Sequence, residues 1–223
     1  VISRPFQDLV PLCLWQASRS MSKITLTYFN APGRAHGIRV ALFTAGVAFE
    51  DKRIEGKDWP ALKPKTHGGS LPVLEIDGKM YTQSAALARW AGKKSTMYPK
   101  DDIEALRCDE VMAIGEDLLA KTPSSQDPAE KKRLREEFAK GFMKLKCDML
   151  EQYCAEAGDN FVSGGKDLTI ADLSIQGLCD MVKSGNFDYV DPSYMDAYPK
   201  MLALAGRVAS SDILKKYEES QKK

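Results

Sequence analysis

The chain has 223 residues, 43% hydrophobic and 28% charged, with a formal net charge of +1. That is enough for one large soluble domain or two small ones, and so even a charge balance offers nothing to nucleic acid. No apolar run approaches the roughly 18 residues that a bilayer span requires.

The opening stretch, VISRPFQDLVPLCLWQASRS, has two prolines and one acidic residue. Residues 1–20 read as a leader or upstream segment outside the fold, with a targeting remnant as the alternative. From Met21 the pattern becomes regular. ITLTYF is a strand ending at Tyr28 and Phe29. After Asn-Ala-Pro-Gly, a helix is predicted over 34–45, with Ile38, Ala41, Leu42 and Ala45 on one face and Gly46 as its stop. VAFEDKRI is a second strand, and DWPALK is one helical turn with Asp58 as N-cap. LPVLEID and KMYT flank Asp77-Gly78, a two-residue hairpin signal. A helix follows with Ser84, Leu87, Ala88 and Ala91 on its small, apolar face.

Beyond YPKDD no strand pattern recurs. Helices are predicted over 104–121, as one long element over 127–158, over 168–182, and as two short ones over 198–207 and 211–219. Asp127-Pro128 opens the long helix and Gly158 closes it, while Thr169-x-x-Asp172 is close to a capping box. The fold class is therefore α/β followed by all-α. Residues 21–98 form a βαβαββα unit and 102–223 an all-helical one.

The five cysteines, Cys13, Cys108, Cys147, Cys154 and Cys179, form no CxxC pair and no zinc spacing, and no metal is expected. An odd, scattered set suits free thiols in a reducing, cytoplasmic compartment. Cys147 and Cys154, seven apart on one helical face, read as buried small hydrophobes. His36 and His67 read as surface or loop histidines. Taken alone, Tyr28 is as readily a packed strand-end aromatic as a functional group.

The ordered set YFNAPGRAHGIRVAL, DWPALK, SLPVLEIDGKMYTQSAALARW and LTIADLSI resembles the glutathione S-transferases, and its first part looks like the sigma class. The resemblance covers nearly everything from Met21 to the C-terminus. It implies a thioredoxin-like first domain, reduced glutathione as co-substrate, a homodimer and a detoxifying transferase acting on small, largely apolar electrophiles. Tyr28 matches the catalytic tyrosine, whose hydroxyl would stabilise the glutathione thiolate, and Arg34 would bias charge toward that thiolate. Trp59 and Lys63 would hold the glycyl end. Gly69 and Ser70 lead to Leu71-Pro72, where the fold carries a cis proline and where Leu71 would pair with the cysteinyl backbone. Gln83 and Ser84, at a helix N-terminus, would take the γ-glutamyl carboxylate, though Ser84 also reads as a plain N-cap. Asp117 would reach the γ-glutamyl amine of a second subunit.

Phe29, Ala31, Pro32 and Ser124 are the candidates for the second-substrate pocket, placed between the domains. Sigma relatives often carry a basic residue at Ser70, so one glycyl contact is expected to be missing here. The prostaglandin-isomerising branch carries an arginine at Pro32 and a tryptophan near Ser124, and both are absent. The alternatives are a glutathione-dependent isomerase or peroxidase using the same thiolate, or a low-activity binding protein related to lens crystallins. No long insertion interrupts 101–158, which favours the enzyme.

Overall fold

The structure is a computed structural model and describes residues 22–222, so the expected leader and Cys13 lie outside the described residues. Four strands, β1 (Ile24–Phe29), β2 (Glu50–Ile54), β3 (Val73–Ile76) and β4 (Lys79–Tyr81), form one sheet in the order β2-β1-β3-β4. β1 runs parallel to β2 and antiparallel to β3, and β3 and β4 form a hairpin. Asp77 (φ 50°) and Gly78 (φ 81°) make its turn, as a two-residue loop with both central φ values positive demands.

The helices α1 (His36–Thr44), α2 (Trp59–Leu62) and α3 (Ser84–Gly92) accompany the sheet. α1 presents Ile38, Val40, Ala41 and Leu42 to the core and packs on α3. The second strand is shorter than the sequence predicts. Gly46 adopts φ 63°, and the Val47 amide bonds back to Leu42 O, so this stretch closes α1 instead of extending β2. Asp58 does not cap α2 through its side chain. It already has helical angles, because a 3₁₀ turn over Gly56–Asp58 leads directly into the helix.

From Asp102 the regular structure of the described chain is helical, without strands: α4 (Asp102–Lys121), α5 (Pro128–Phe138), α6 (Lys144–Ala157), α7 (Ile170–Lys183), α8 (Pro199–Ser210) and α9 (Asp212–Ser220). Asp101 caps α4, accepting from the Ile103 and Glu104 amides, and Asp127 caps α5 through the Ala129 amide. The single long helix expected over 127–158 is divided by a π turn, Ala139–Met143. Gly141 at its centre is a weak α-helix former and brings no side chain that the wider turn must fit. A 3₁₀ segment, Pro192–Ala197, was not predicted. Among the described residues no helix is long and apolar enough to cross a membrane.

One apolar core runs through both parts, from Leu26 and Leu74 of the sheet to Met143, Ile175 and Leu204 of the helices. α1 contacts α7 and α9, so the first helix is shared by the sheet and the bundle. Asp172, fully buried, holds the loop before α7 against the first turn of that helix. Its carboxylate accepts from the Val162 amide (2.8 Å), the Thr169 amide (2.8 Å) and the Thr169 hydroxyl (2.6 Å). Burial raises its pKa while these bonds oppose the rise.

Removing this carboxylate leaves buried donors unsatisfied. Asp172→Ala is expected to cost about 3 kcal/mol or more of stability, measured by urea unfolding. A loss below about 1 kcal/mol would contradict the role given to these bonds.

Candidate active site

β1 delivers Tyr28 and Phe29 to the edge of a short loop. The two rings meet edge-on at 5.5 Å, and Phe29 meets Trp59 of α2 at 6.1 Å. The chain then enters a 3₁₀ turn over Gly33–Ala35. Here the Arg34 amide donates to the Tyr28 hydroxyl oxygen at 3.2 Å. That donor occupies a lone pair of the phenol and leaves its own O–H proton free to be donated elsewhere. Gly33 makes the approach possible. It has φ +42°, and a Cβ there would stand 2.7 Å from the Tyr28 oxygen.

Arg39 of α1, only 2% exposed, holds this loop from beneath. Its Nε pairs with Asp51 of β2 at 3.0 Å, Nη1 donates to Ala31 O (2.6 Å) and weakly to Pro32 O (3.5 Å), and Nη2 donates to Phe29 O (3.3 Å). The guanidinium carbon lies 5.8 Å from the Tyr28 ring centroid. Arg39 was not singled out from sequence. Its signal was an arginine standing between Ile38 and Val40 on a helix with little polar surface.

The Arg34 side chain does something other than expected. Its guanidinium turns to Glu116 of α4 (Nη1 to Oε2, 3.3 Å), and only its backbone reaches Tyr28. Glu116 also accepts from the Ser84 hydroxyl at 2.7 Å. Ser84 is not the N-cap of α3 but its first residue, buried at 6%. The cap is Gln83, held at φ +74°, a conformation that non-glycine residues rarely adopt. Glu116 was not among the expected site residues. Nothing in its local pattern marks it, since its partners lie far away in sequence.

Lys63 follows α2 as its C-cap, and its side-chain carbons lie 3.5 Å from where a Cβ on Gly69 (φ +57°) would stand. Ser70 is extended, and the Leu71-Pro72 peptide is cis, as the resemblance implied. Leu71 stands outside the strand ladder, whose last pair is Thr27 with Val73.

The expected residues therefore fall into groups. Tyr28, Phe29 and Trp59 touch, Lys63 covers Gly69, and Arg34 and Ser84 meet through Glu116. Asp117 lies apart, paired with Lys146 of α6 at 3.2 Å. Ala31 and Pro32 are exposed on the loop, and Ser124 is exposed beyond the end of α4. Two cavities, of about 330 and 560 Å³, are lined by residues such as Tyr98, Glu104 and Lys166, and Lys65, His67 and Met80. Neither includes Tyr28, Ala31, Pro32 or Ser124, so neither is the second-substrate pocket expected between the domains. Among the described residues no group of three or more His, Cys, Asp or Glu side chains is placed to hold a metal.

His67 is exposed, as expected. His36 is not a surface residue. It is half-buried against Tyr217 of α9, with ring centroids 6.0 Å apart, and burial together with nearby Arg39 holds its imidazole down at about 4. The four described cysteines are all buried and free.

Two family models match the chain: the glutathione S-transferase N-terminal domain over residues 24–92 and the C-terminal domain over 116–221. Glutathione S-transferase 1 of Ascaris suum is 35% identical over 161 residues, covering 70% of this chain and 78% of the relative. The hematopoietic prostaglandin D synthase of Gallus gallus is 32% identical, covering 84% and 91%. The crystal structure of monomeric Na-GST-3 from Necator americanus, a glutathione S-transferase, superposes with a TM-score of 0.73 at 28% identity, covering 89% of this chain and 97% of that one.

Two variants test the packing around the loop. Gly33→Ala must displace the Tyr28 hydroxyl and is expected to cost about 1–3 kcal/mol in urea unfolding. Gly37→Ala meets no atom within 4 Å and sits inside α1, so it is expected to be neutral or to stabilise by up to ~1 kcal/mol. Equal effects would refute the close approach at Gly33. The second prediction concerns pH. His36 takes up a proton in the unfolded chain near 6.5 but in the folded chain only near 4. Its contribution is therefore complete above pH 6.5 and is lost as pH falls through that window, by up to ~3 kcal/mol. His36→Gln should flatten the decline in stability between pH 6.5 and 4, and an unchanged slope would refute it.

Proposed function

The chain belongs to the glutathione S-transferase family, and from that premise we propose that it conjugates reduced glutathione to small, largely apolar electrophiles, with Tyr28 stabilising the thiolate. It is a glutathione transferase, and the family uses glutathione as co-substrate; what is proposed is how the thiol is activated and what receives it. The observation that carries the reading is the Tyr28 hydroxyl, whose oxygen accepts the Arg34 amide while its proton stays available. Donated to the glutathione sulfur, that proton favours the thiolate over the thiol. The thiol proton leaves to solvent. The thiolate then forms the S–C bond as the electrophile's leaving group departs, with no covalent enzyme intermediate.

The rest of the tripeptide site is assigned on the same premise. Lys63 and Trp59 meet the glycyl end, Leu71 beside Gly69, Ser70 and Pro72 pairs with the cysteinyl backbone, and Gln83 and Ser84 take the γ-glutamyl carboxylate. Arg34 acts at Tyr28 through its amide. Residues 21–98 would then form the glutathione-binding domain and 102–223 the helical one. Asp117 is assigned to the glutathione of a second subunit in a sigma-class, cytoplasmic homodimer serving detoxification. For that role it would have to leave Lys146. The electrophile would lie near Phe29, Ala31, Pro32 and Ser124.

A second reading, isomerisation at the same thiolate, is favoured by the similarity to the Gallus gallus prostaglandin D synthase. The proline at Pro32 and the serine at Ser124 weigh against it. A panel of an aromatic halide, a hydroperoxide and a prostaglandin precursor separates the two. Turnover of the precursor alone would replace conjugation as the reading, and retention on immobilised glutathione without any turnover would favour a binding protein.

Tyr28→Phe should lower conjugation by about 10- to 100-fold while leaving glutathione affinity within about twofold. The absorbance of bound thiolate should appear only at higher pH. Unchanged turnover and an unchanged thiolate profile would remove Tyr28 from the mechanism.

A further inference from the structure

The cavity of about 330 Å³ shares no residue with the proposed glutathione site. Its walls come from the segment that leads from α3 to α4, from the first turn of α4, and from the loop before α7. The Ile170 amide, donating to Met97 O at 2.9 Å, draws the first and last of these together. The lining carries charges of both signs, yet they do not pair. Among the described residues Lys100, Glu104, Lys166 and Asp167 take part in no ion pair. Water accounts for Lys100, Lys166 and Asp167, which are exposed. It accounts less well for Glu104, which is half-buried and set against the backbone. A Cβ on Gly165 would stand 3.1 Å from its Oε2.

The inner wall adds a second acceptor. Ser163 is 6% exposed, and its hydroxyl lies 3.4 Å from that of Thr169. The Thr169 proton is already given to Asp172, so the proton between the two hydroxyls belongs to Ser163. Toward the cavity Ser163 therefore offers lone pairs. Asp101 is occupied as the cap of α4. The inner groups accept, and two ammonium groups stand at the mouth.

We propose that this cavity is a second ligand site, and that it takes a small zwitterion, a free amino acid with an apolar side chain. The ligand's ammonium donates to Glu104 and to the Ser163 oxygen. Its carboxylate meets Lys100 and Lys166, and its side chain lies along Tyr98 and Pro99. A simple anion is repelled by Glu104 and a simple cation by the lysines, so only a ligand with both charges answers both ends. The volume is at the lower end of the range for small-molecule sites. It suits an amino acid and is too small for a lipid.

The probe is L-leucine, with leucinamide as its cationic and N-acetylleucine as its anionic counterpart. Binding is followed through the NMR shifts of the Gly164, Gly165 and Lys166 amides. The full chain is used, saturated with S-methylglutathione to close the proposed glutathione site. Leucine is expected to bind about tenfold more tightly than either counterpart. Glu104→Gln should weaken leucine and leucinamide about tenfold and N-acetylleucine not at all. Lys100→Met combined with Lys166→Met should weaken leucine and N-acetylleucine and leave leucinamide no weaker. Variants that weaken all three probes alike, or leucine binding that survives both sets of changes, overturn the proposal. So does an absence of shifts at these amides with leucine up to about 20 mM, well above the millimolar range of weak ligands. Shifts confined to the surroundings of Tyr28 overturn it as well, since leucine would then be using the other site.

Discussion

A single buried cation sets the geometry on which the site depends. Arg39 lies almost wholly out of water, where an unpaired guanidinium would cost several kcal/mol. It is tolerated because Asp51 and the main-chain oxygens of Phe29, Ala31 and Pro32 surround it. Satisfying that charge bends the chain after β1 into a fixed loop. The loop brings the Arg34 amide to the Tyr28 hydroxyl, and glycine at Gly33 keeps the space between them open. Arg39 holds the loop through the main-chain carbonyls of Phe29, Ala31 and Pro32, not through their side chains.

The sheet and the helical bundle are joined by charge as well as by packing. Glu116, on the first long helix, links the loop after β1 through Arg34 and the start of α3 through Ser84. α1 does the same for the apolar core, since it is covered by α3 on one side and by α7 and α9 on the others. A shift of α4 against the sheet would therefore be felt beside Tyr28 and at the γ-glutamyl end of the proposed tripeptide site.

Much of this was legible in the chain because it is locally encoded. Asp77-Gly78 fixes its turn by backbone preference alone, Thr169 and Asp172 lie within one helical turn, and Ile38, Ala41 and Leu42 of the expected α1 face are buried, though Ala45 is the half-exposed C-cap. The order of motifs also pointed to the family. What escaped was long-range or conformational. Arg34 and Glu116 are 82 positions apart, and Arg39 of α1 finds its carboxylate on the strand β2. The shortened β2 arose because closing α1 took up the residues around Val47. His36 looked exposed because the aromatic ring that covers it belongs to the last helix. Ser84 looked like a cap because a non-glycine residue at φ +74° just before it is not something composition announces.

The four described cysteines give the fold a property apart from its ligand site. Burial pushes Cys108 up to about 11 and Cys147, Cys154 and Cys179 up to about 12. At neutral pH at most about one such thiol in ten thousand is ionised, and thiolates, not thiols, attack carbon electrophiles. A catalyst that gathers alkylating agents is exposed to them at every turnover. Among the described residues every cysteine is kept protonated and out of reach, so none of these four thiols is placed to react with an electrophile that the proposed thiolate is meant to meet.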